Sequence, residues 1–191
     1  MVGILLAAGL SLRFGPTNKL LHPLPDGTPI ALSAGGNLVA AIPLSIAVVR
    51  PDGHLLREIL EEAGLQVVSC RDNATAMSKS LAVALQYARN FGESDEGFII
   101  ALADMPYINP ETITEVANRM RQGNSIVVPT FQGQRGHPVG FPCEFRHDLE
   151  KLSGDIGARP ILQRNPNKVQ FLETTDRGIL VDIDNPSDIR A

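Results

Sequence analysis

The first residues able to do chemistry follow an apolar run, Val2–Ala8, which breaks at Gly9 into a loop carrying Ser11, Arg13, Gly15 and Lys19. Glycines let backbone N–H groups come close to phosphate oxygens. Arg13 offers a planar two-pronged donor and Lys19 a compact point charge. The stretch reads as a cradle for phosphate, or as an ordinary strand–loop connection with two exposed cations. Lys19 does not follow a glycine at G-x-x-x-x-G-K-[ST] spacing, and the glycines do not form G-x-G-x-x-G, so neither common phosphate-loop motif is present. No acidic residue stands in the ribose-binding place after a second strand, which disfavours a dinucleotide oxidoreductase.

The second feature is acidic. Asp104 follows the apolar run Phe98–Ala103, and Pro106 ends that run. Asp182 and Asp184 fall at the end of Ile179–Ile183, and an alternation of two would put both on one side of a strand. Carboxylates are hard oxygen ligands that suit Mg²⁺, an ion that takes one or two of them with waters and substrate phosphates. The same aspartates also read as turn residues before Met-Pro and Asn-Pro. Further along, Ser78 and Ser80 open a helix whose N-terminus could receive an anion. Asn73 reads equally as a contact to a base or a turn former. His137, in "GHPV", reads as a general base or as a structural residue setting its loop. His22, His54 and His147 have no partner pattern and are expected at the surface.

These residues must be held by something, and the pattern predicts an α/β sheet. Short apolar runs recur at Val2–Ala8, Leu44–Val49, Val67–Cys70, Phe98–Ala103, Ser125–Pro129, Val169–Leu172 and Ile179–Ile183, as suits strands covered on both faces. Helical spacing appears between them at His54–Ala63, Ser78–Arg89 and Pro110–Arg121, the last with Asn109 as N-cap and Pro110 in the first turn. Strands alternating with helices predict a doubly wound, mostly parallel sheet with helices on both faces. Ligands in such sheets bind beyond the carboxyl ends of the strands, where the Gly9–Lys19 loop and Asp104 fall. The stretch Phe131–Pro142 reads as an insertion near that face.

The 191 residues fit one domain, 1–191, with no linker dividing it. Hydrophobic content of 43% and charged content of 20% are ordinary for a globular chain. A net charge of −4 disfavours a nucleic-acid partner. Cys70 and Cys143 lie far apart in no metal-type spacing, which points to a reducing compartment. The N-terminal apolar stretch is too short for a membrane span and lacks the basic flank and cleavage site of a signal peptide. A cytoplasmic protein with no membrane partner is expected.

Six segments in order extend this reading. "LLAAGLSLRFGPTNK" resembles the L-A-A-G-x-S-x-R-x-G signature of the molybdenum cofactor nucleotidyltransferases, the cytidylyl- and guanylyltransferases of molybdopterin. "NATAMSKSL", "ALADMPYI", "GQRGHPVGF", "SGDIGARPIL" and "VDIDNPSDI" resemble further segments of that family, so the likeness covers nearly the whole chain. One departure is Ala76, where the family commonly has glycine. The resemblance implies a Rossmann-like nucleotidyltransferase fold and an enzyme that joins a nucleoside triphosphate to a phosphorylated acceptor. It implies nucleotide contacts from Leu6, Ala7, Ala8, Gly9, Ser11, Arg13, Gly15, Lys19, Asn73 and Ser78. Arg13, Lys19 and Asp104 would be catalytic. Asp104 and Asp184 would hold Mg²⁺, with Asp182 in reserve. His137, Asp155 and Arg159 would face the acceptor. Ala8 matches the "AAG" of the cytidylyl branch, where the guanylyl branch tends to "AGG", so CTP rather than GTP is expected. Molybdopterin is the implied acceptor, and a xanthine-dehydrogenase-type molybdoenzyme the implied downstream partner. The alternatives are the same fold with another nucleotide or acceptor, and a nucleotide-binding chaperone that performs no chemistry.

Overall fold

The structure, a computed structural model, describes residues 1–9, 14, 18–70, 76–154 and 157–189. Strand β1 (Val2–Leu6) lies in the middle of the sheet. It pairs in parallel with β2 (Ser45–Val49) on one side and β4 (Phe98–Leu102) on the other. Beyond β2 lies β3 (Gln66–Ser69), also parallel. The chain then turns back on itself. Strands β5 (Ile126–Phe131), β6 (Gln134–Arg135) and β7 (Val139–Phe141) form an antiparallel excursion that joins β4 through β7, and β8 (Val169–Glu173) runs parallel along β5. The sheet order is β3-β2-β1-β4-β7-β5-β6, with β8 on β5. The sheet is mixed and mostly parallel, and the expected insertion is the β6–β7 return.

Strand alternation divides the interior into two apolar layers. Leu5, Ala47, Val49, Ile99 and Ala101 face one, beside α1 (Ile30–Ala41), α2 (His54–Glu62) and α4 (Pro110–Gly123). Ile4, Ile46, Val48, Phe98 and Ile100 face the other, beside α3 (Met77–Ala88), α5 (Arg146–Glu150) and α6 (Arg159–Arg164). Residues one apart in a strand point to opposite faces, so these continuous apolar runs feed both layers at once. Connections through α1 and α2 build the sheet outward from β1 on one face. The connection through α3 crosses the other face to β4, so the strand order reverses between β1 and β4. That reversal opens a crevice at the carboxyl ends of the two strands.

Two expectations are corrected. Ile179–Ile183 is not a strand: Arg177–Leu180 is a 3-10 turn and the following residues are unpaired in the sheet. The one-sided alternation of Asp182 and Asp184 therefore does not apply. Asn109 occupies the N-cap position of α4 as expected; its side chain makes no capping bond, and its backbone N–H donates to the Asp176 carboxylate. His22 is half-buried, its ring packed edge-on against Phe14 with ring centres 5.1 Å apart, whereas His54 and His147 are exposed as expected. Both cysteines are free. Among the described residues no helix is long and apolar enough to cross a membrane.

Candidate active site

Asp104 is set by the turn that ends β4. Ala103 donates from its backbone N–H to Leu6 (3.1 Å) and Met105 to Leu102 (3.3 Å). Ala103 and Met105 are buried, which leaves the carboxylate between them at the sheet edge. Helix α1 steadies the next step of the loop, because Ser33 Oγ and Asn37 Nδ2 both donate to the Pro106 carbonyl (3.1 and 3.0 Å). Asp184 arrives from the far end of the chain. Ile183, fully buried, donates its N–H to the Asp104 carbonyl at 2.9 Å. The backbone amides of Asp184 and Asn185 donate to the Asp188 carboxylate (2.9 and 2.7 Å); these bonds hold the Asp188 carboxyl below the usual range.

Between the two carboxylates stands Lys19. It opens a 3-10 turn, Lys19–Leu21, capped by Asn18 Oδ1 accepting from Leu20 N–H (3.1 Å) and anchored by buried Leu20. Its ammonium donates to Asp104 Oδ2 at 2.8 Å and to Asp184 Oδ1 at 3.1 Å, with only 10% of the side chain exposed. Burial alone would lower the Lys19 pKa, but hydrogen bonds and charge from Asp104 and Asp184 outweigh it and leave the pKa above its ordinary value. Two carboxylates that converge on one cation are the donor set expected for Mg²⁺, and the ammonium here is the stand-in. Among the described residues no three His, Cys, Asp or Glu side chains converge. A divalent ion on Asp104 and Asp184 would thus complete its shell with water and phosphate, as Mg²⁺ does. Asp182 is exposed, and the Lys19 contact is made by Asp184.

A cavity of about 310 Å³ is lined among others by Leu6, Ser78, Leu81, His137, Val139 and Arg159. Leu6 ends β1, while Ala7 and Ala8 are buried and Gly9 is exposed. The Ala8 methyl belongs to the apolar layer shared with Cys70 and Leu81. The Ser78 N–H, at the start of α3, donates to the Gly154 carbonyl at 3.3 Å. Ser80 Oγ sits 3.6 Å from Cys70 Sγ. His137 donates its backbone N–H to the Ile179 carbonyl at 3.0 Å, and its ring Nδ1 is buried with no hydrogen-bond partner among the described residues. Burial pulls its pKa down against the opposing charge of Asp104 and Asp182. A neutral imidazole results. Arg159 is exposed at the start of α6, and Arg135 lines the same cavity with its guanidinium 4.7 Å from the Phe171 ring centre. Ser11, Arg13, Gly15, Asn73 and Asp155 lie outside the described residues.

Sequence reasoning missed Ser33, Asn37 and Asp176, whose bonds hold the loops around the carboxylates. Asp176 carried one local signal, a glycine two residues on, which marks a capped turn; nothing nearby pointed to its long-range partners.

A mostly parallel sheet with a cation and two carboxylates at its carboxyl edge, at the point of strand reversal, defines a phosphate-handling α/β enzyme. Rv0371c from Mycobacterium tuberculosis H37Rv is similar, at 26% identity and a TM-score of 0.81, over 98% of this chain and 93% of that one. The manganese complex of Rv0371c gives 25% identity and 0.79, over 98% and 94%. A nucleotidyl transferase from Methanothermobacter thermautotrophicus shares the fold at 21% identity and 0.81, over 98% and 93%. No curated protein matches the chain. Residues 3–169 match the MobA-like NTP transferase domain, and the chain belongs to that family. It is a nucleotidyltransferase.

Proposed function

We propose that the chain transfers CMP from CTP to the terminal phosphate of molybdopterin, with Mg²⁺, in the cytoplasm. The observation that carries this reading is the convergence of Lys19, Asp104 and Asp184 at the carboxyl ends of β1 and β4. An acceptor phosphate oxygen attacks the α-phosphorus, the bond from that phosphorus to the bridging oxygen breaks, and pyrophosphate leaves with the electron pair. The nucleophile is already ionised, so no covalent enzyme intermediate is needed and catalysis is positioning plus charge stabilisation.

Asp104 and Asp184 would hold the ion, which would supply positive charge against the phosphates. Lys19 exchanges its carboxylate partners for triphosphate oxygens, alongside Arg13 from the same loop. Leu6, Ala7, Ala8, Gly9, Ser11, Gly15, Asn73 and Ser78 surround the nucleotide. Ala8, where the guanylyl branch tends to glycine, narrows the base site toward a pyrimidine. The cavity lined by His137 and Arg159 receives the acceptor, to whose binding Asp155 also contributes. Its volume of about 310 Å³ suits a fused-ring body, and its cations suit an anionic one. The product would pass to a xanthine-dehydrogenase-type molybdoenzyme.

The test is pyrophosphate release with CTP, GTP or ATP in the presence of molybdopterin and Mg²⁺. Release is expected with CTP. Release only with another phosphorylated acceptor would overturn the substrate assignment. Asp104→Asn is expected to lower turnover by about 10²–10³-fold, and an unchanged rate would remove the metal role given to Asp104.

A further inference from the structure

We propose that Asp176 is a positioning residue for the metal site: it fixes the separation of Asp104 and Asp184 and thereby the affinity for the divalent ion. The inference rests on the metal-binding part of the reading above.

Asp176 is 7% exposed. A buried carboxylate is costly unless its oxygens are well supplied with donors. Here Oδ2 accepts from the Asn109 backbone N–H (2.8 Å) and from Thr112 Oγ1 (2.9 Å), while Oδ1 accepts from the Gly178 N–H (2.8 Å). Asn109 and Thr112 belong to the start of α4, where the helix dipole also favours a negative charge. Capping alone does not explain this choice. Asn109 stands at the N-cap position with a side chain suited to the task and makes no such bond. The Asp176 bonds are different ones, made to the Asn109 backbone N–H and the Thr112 hydroxyl from a distant part of the chain. What the distant residue adds is a tie between two segments.

Those segments are the ones that carry the candidate metal ligands. Asn109 leads back along the chain to Asp104, and Asp176 leads forward to Asp184. The segments touch again beyond the tie. Gly178 packs so closely on the Tyr107 carbonyl that a Cβ there would overlap it. Ile183 donates to the Asp104 carbonyl at 2.9 Å. The two strips are thus fastened at both ends, by Asp176 at one and by the Ile183–Asp104 bond at the other, and the carboxylates project from the second fastening. Releasing the first lets the 176–184 segment slide against the 104–109 loop and opens the distance between ligands. The groups that hold metal ligands in place commonly govern metal affinity by about 10–100-fold.

The experiment is Mn²⁺ binding to the full chain in the presence of CTP, followed by calorimetry and by the spin-resonance signal of free Mn²⁺. Asp176→Asn and Thr112→Val are compared with the parent chain. Asp176→Asn is expected to weaken Mn²⁺ binding by about 10-fold or more, to raise the KM for Mg²⁺ more than it lowers kcat, and to recover turnover at high Mg²⁺. Thr112→Val, which removes one bond of three, is expected to shift Mn²⁺ affinity in the same direction by less. Parent-like Mn²⁺ affinity in folded Asp176→Asn overturns the proposal. Should that variant not fold, parent-like affinity in Thr112→Val overturns it. A parent chain that binds CTP but no Mn²⁺ defeats the metal reading itself, an outcome distinct from equal binding by parent and variants.

Discussion

Lys19 neutralises two carboxylates that would otherwise repel each other across the crevice. A divalent ion on the same oxygens must compete with it. Lys19→Met is therefore expected to tighten Mn²⁺ binding measured without nucleotide, while turnover falls by about 10²–10³-fold through loss of a phosphate-binding charge. Titration calorimetry checks the first effect, and weaker Mn²⁺ binding in the variant would show that the ammonium does not compete. His137 makes a pH prediction. Its folded pKa is lowered by burial, so the unfolded chain takes up the proton first. Its contribution to stability is intact above the unfolded value of about 6.5 and is lost as pH falls below it. His137→Gln is expected to flatten the fall in urea midpoint between about pH 7.5 and pH 5.5; an equally steep fall would assign the effect elsewhere. Lys19, Asp104 and Asp184 were legible because each follows an apolar run or a glycine-broken loop. Their mutual contact was not, since reading each against an absent ligand hides that opposite charges meet when nothing else is bound.

At the scale of elements, periodicity located β1, β2, β4, α2, α3 and α4 to within a few residues. Helix α1 escaped because its sequence, IALSAGGNLVAA, mixes glycines and an asparagine into the pattern; two such residues cost helix propensity that packing on the sheet restores. Ile179–Ile183 misled for the opposite reason. Its Ile-Leu-Val-Asp-Ile pattern is strand-like, yet β8 takes the place beside β5, and the segment serves to fasten loops. One of those fastenings is steric. A Cβ on Gly136 would overlap the Ile179 backbone. Gly136→Ala is thus expected to cost about 1–3 kcal/mol through overpacking and to lower turnover as the Asp184 segment shifts. Urea unfolding beside a pyrophosphate assay measures both, and a variant with parent stability would refute the close contact.

Across the whole molecule, the sheet separates two apolar layers with few routes between them. Leu38 is fully buried in one and Leu85 in the other. Truncation of either to alanine is expected to cost about 2–5 kcal/mol, and the double variant should match the sum within about 0.5 kcal/mol. A larger deviation in urea unfolding would mean that the layers repack together. The strand order also has a consequence in time. The central strand is the first to be synthesised, and Asp104 follows near mid-chain, but Asp184 is translated after all eight strands. The second carboxylate therefore depends on a segment outside the sheet, and the site is complete only when the stretch after β8 folds back onto the loop after β4, through the Ile183–Asp104 bond.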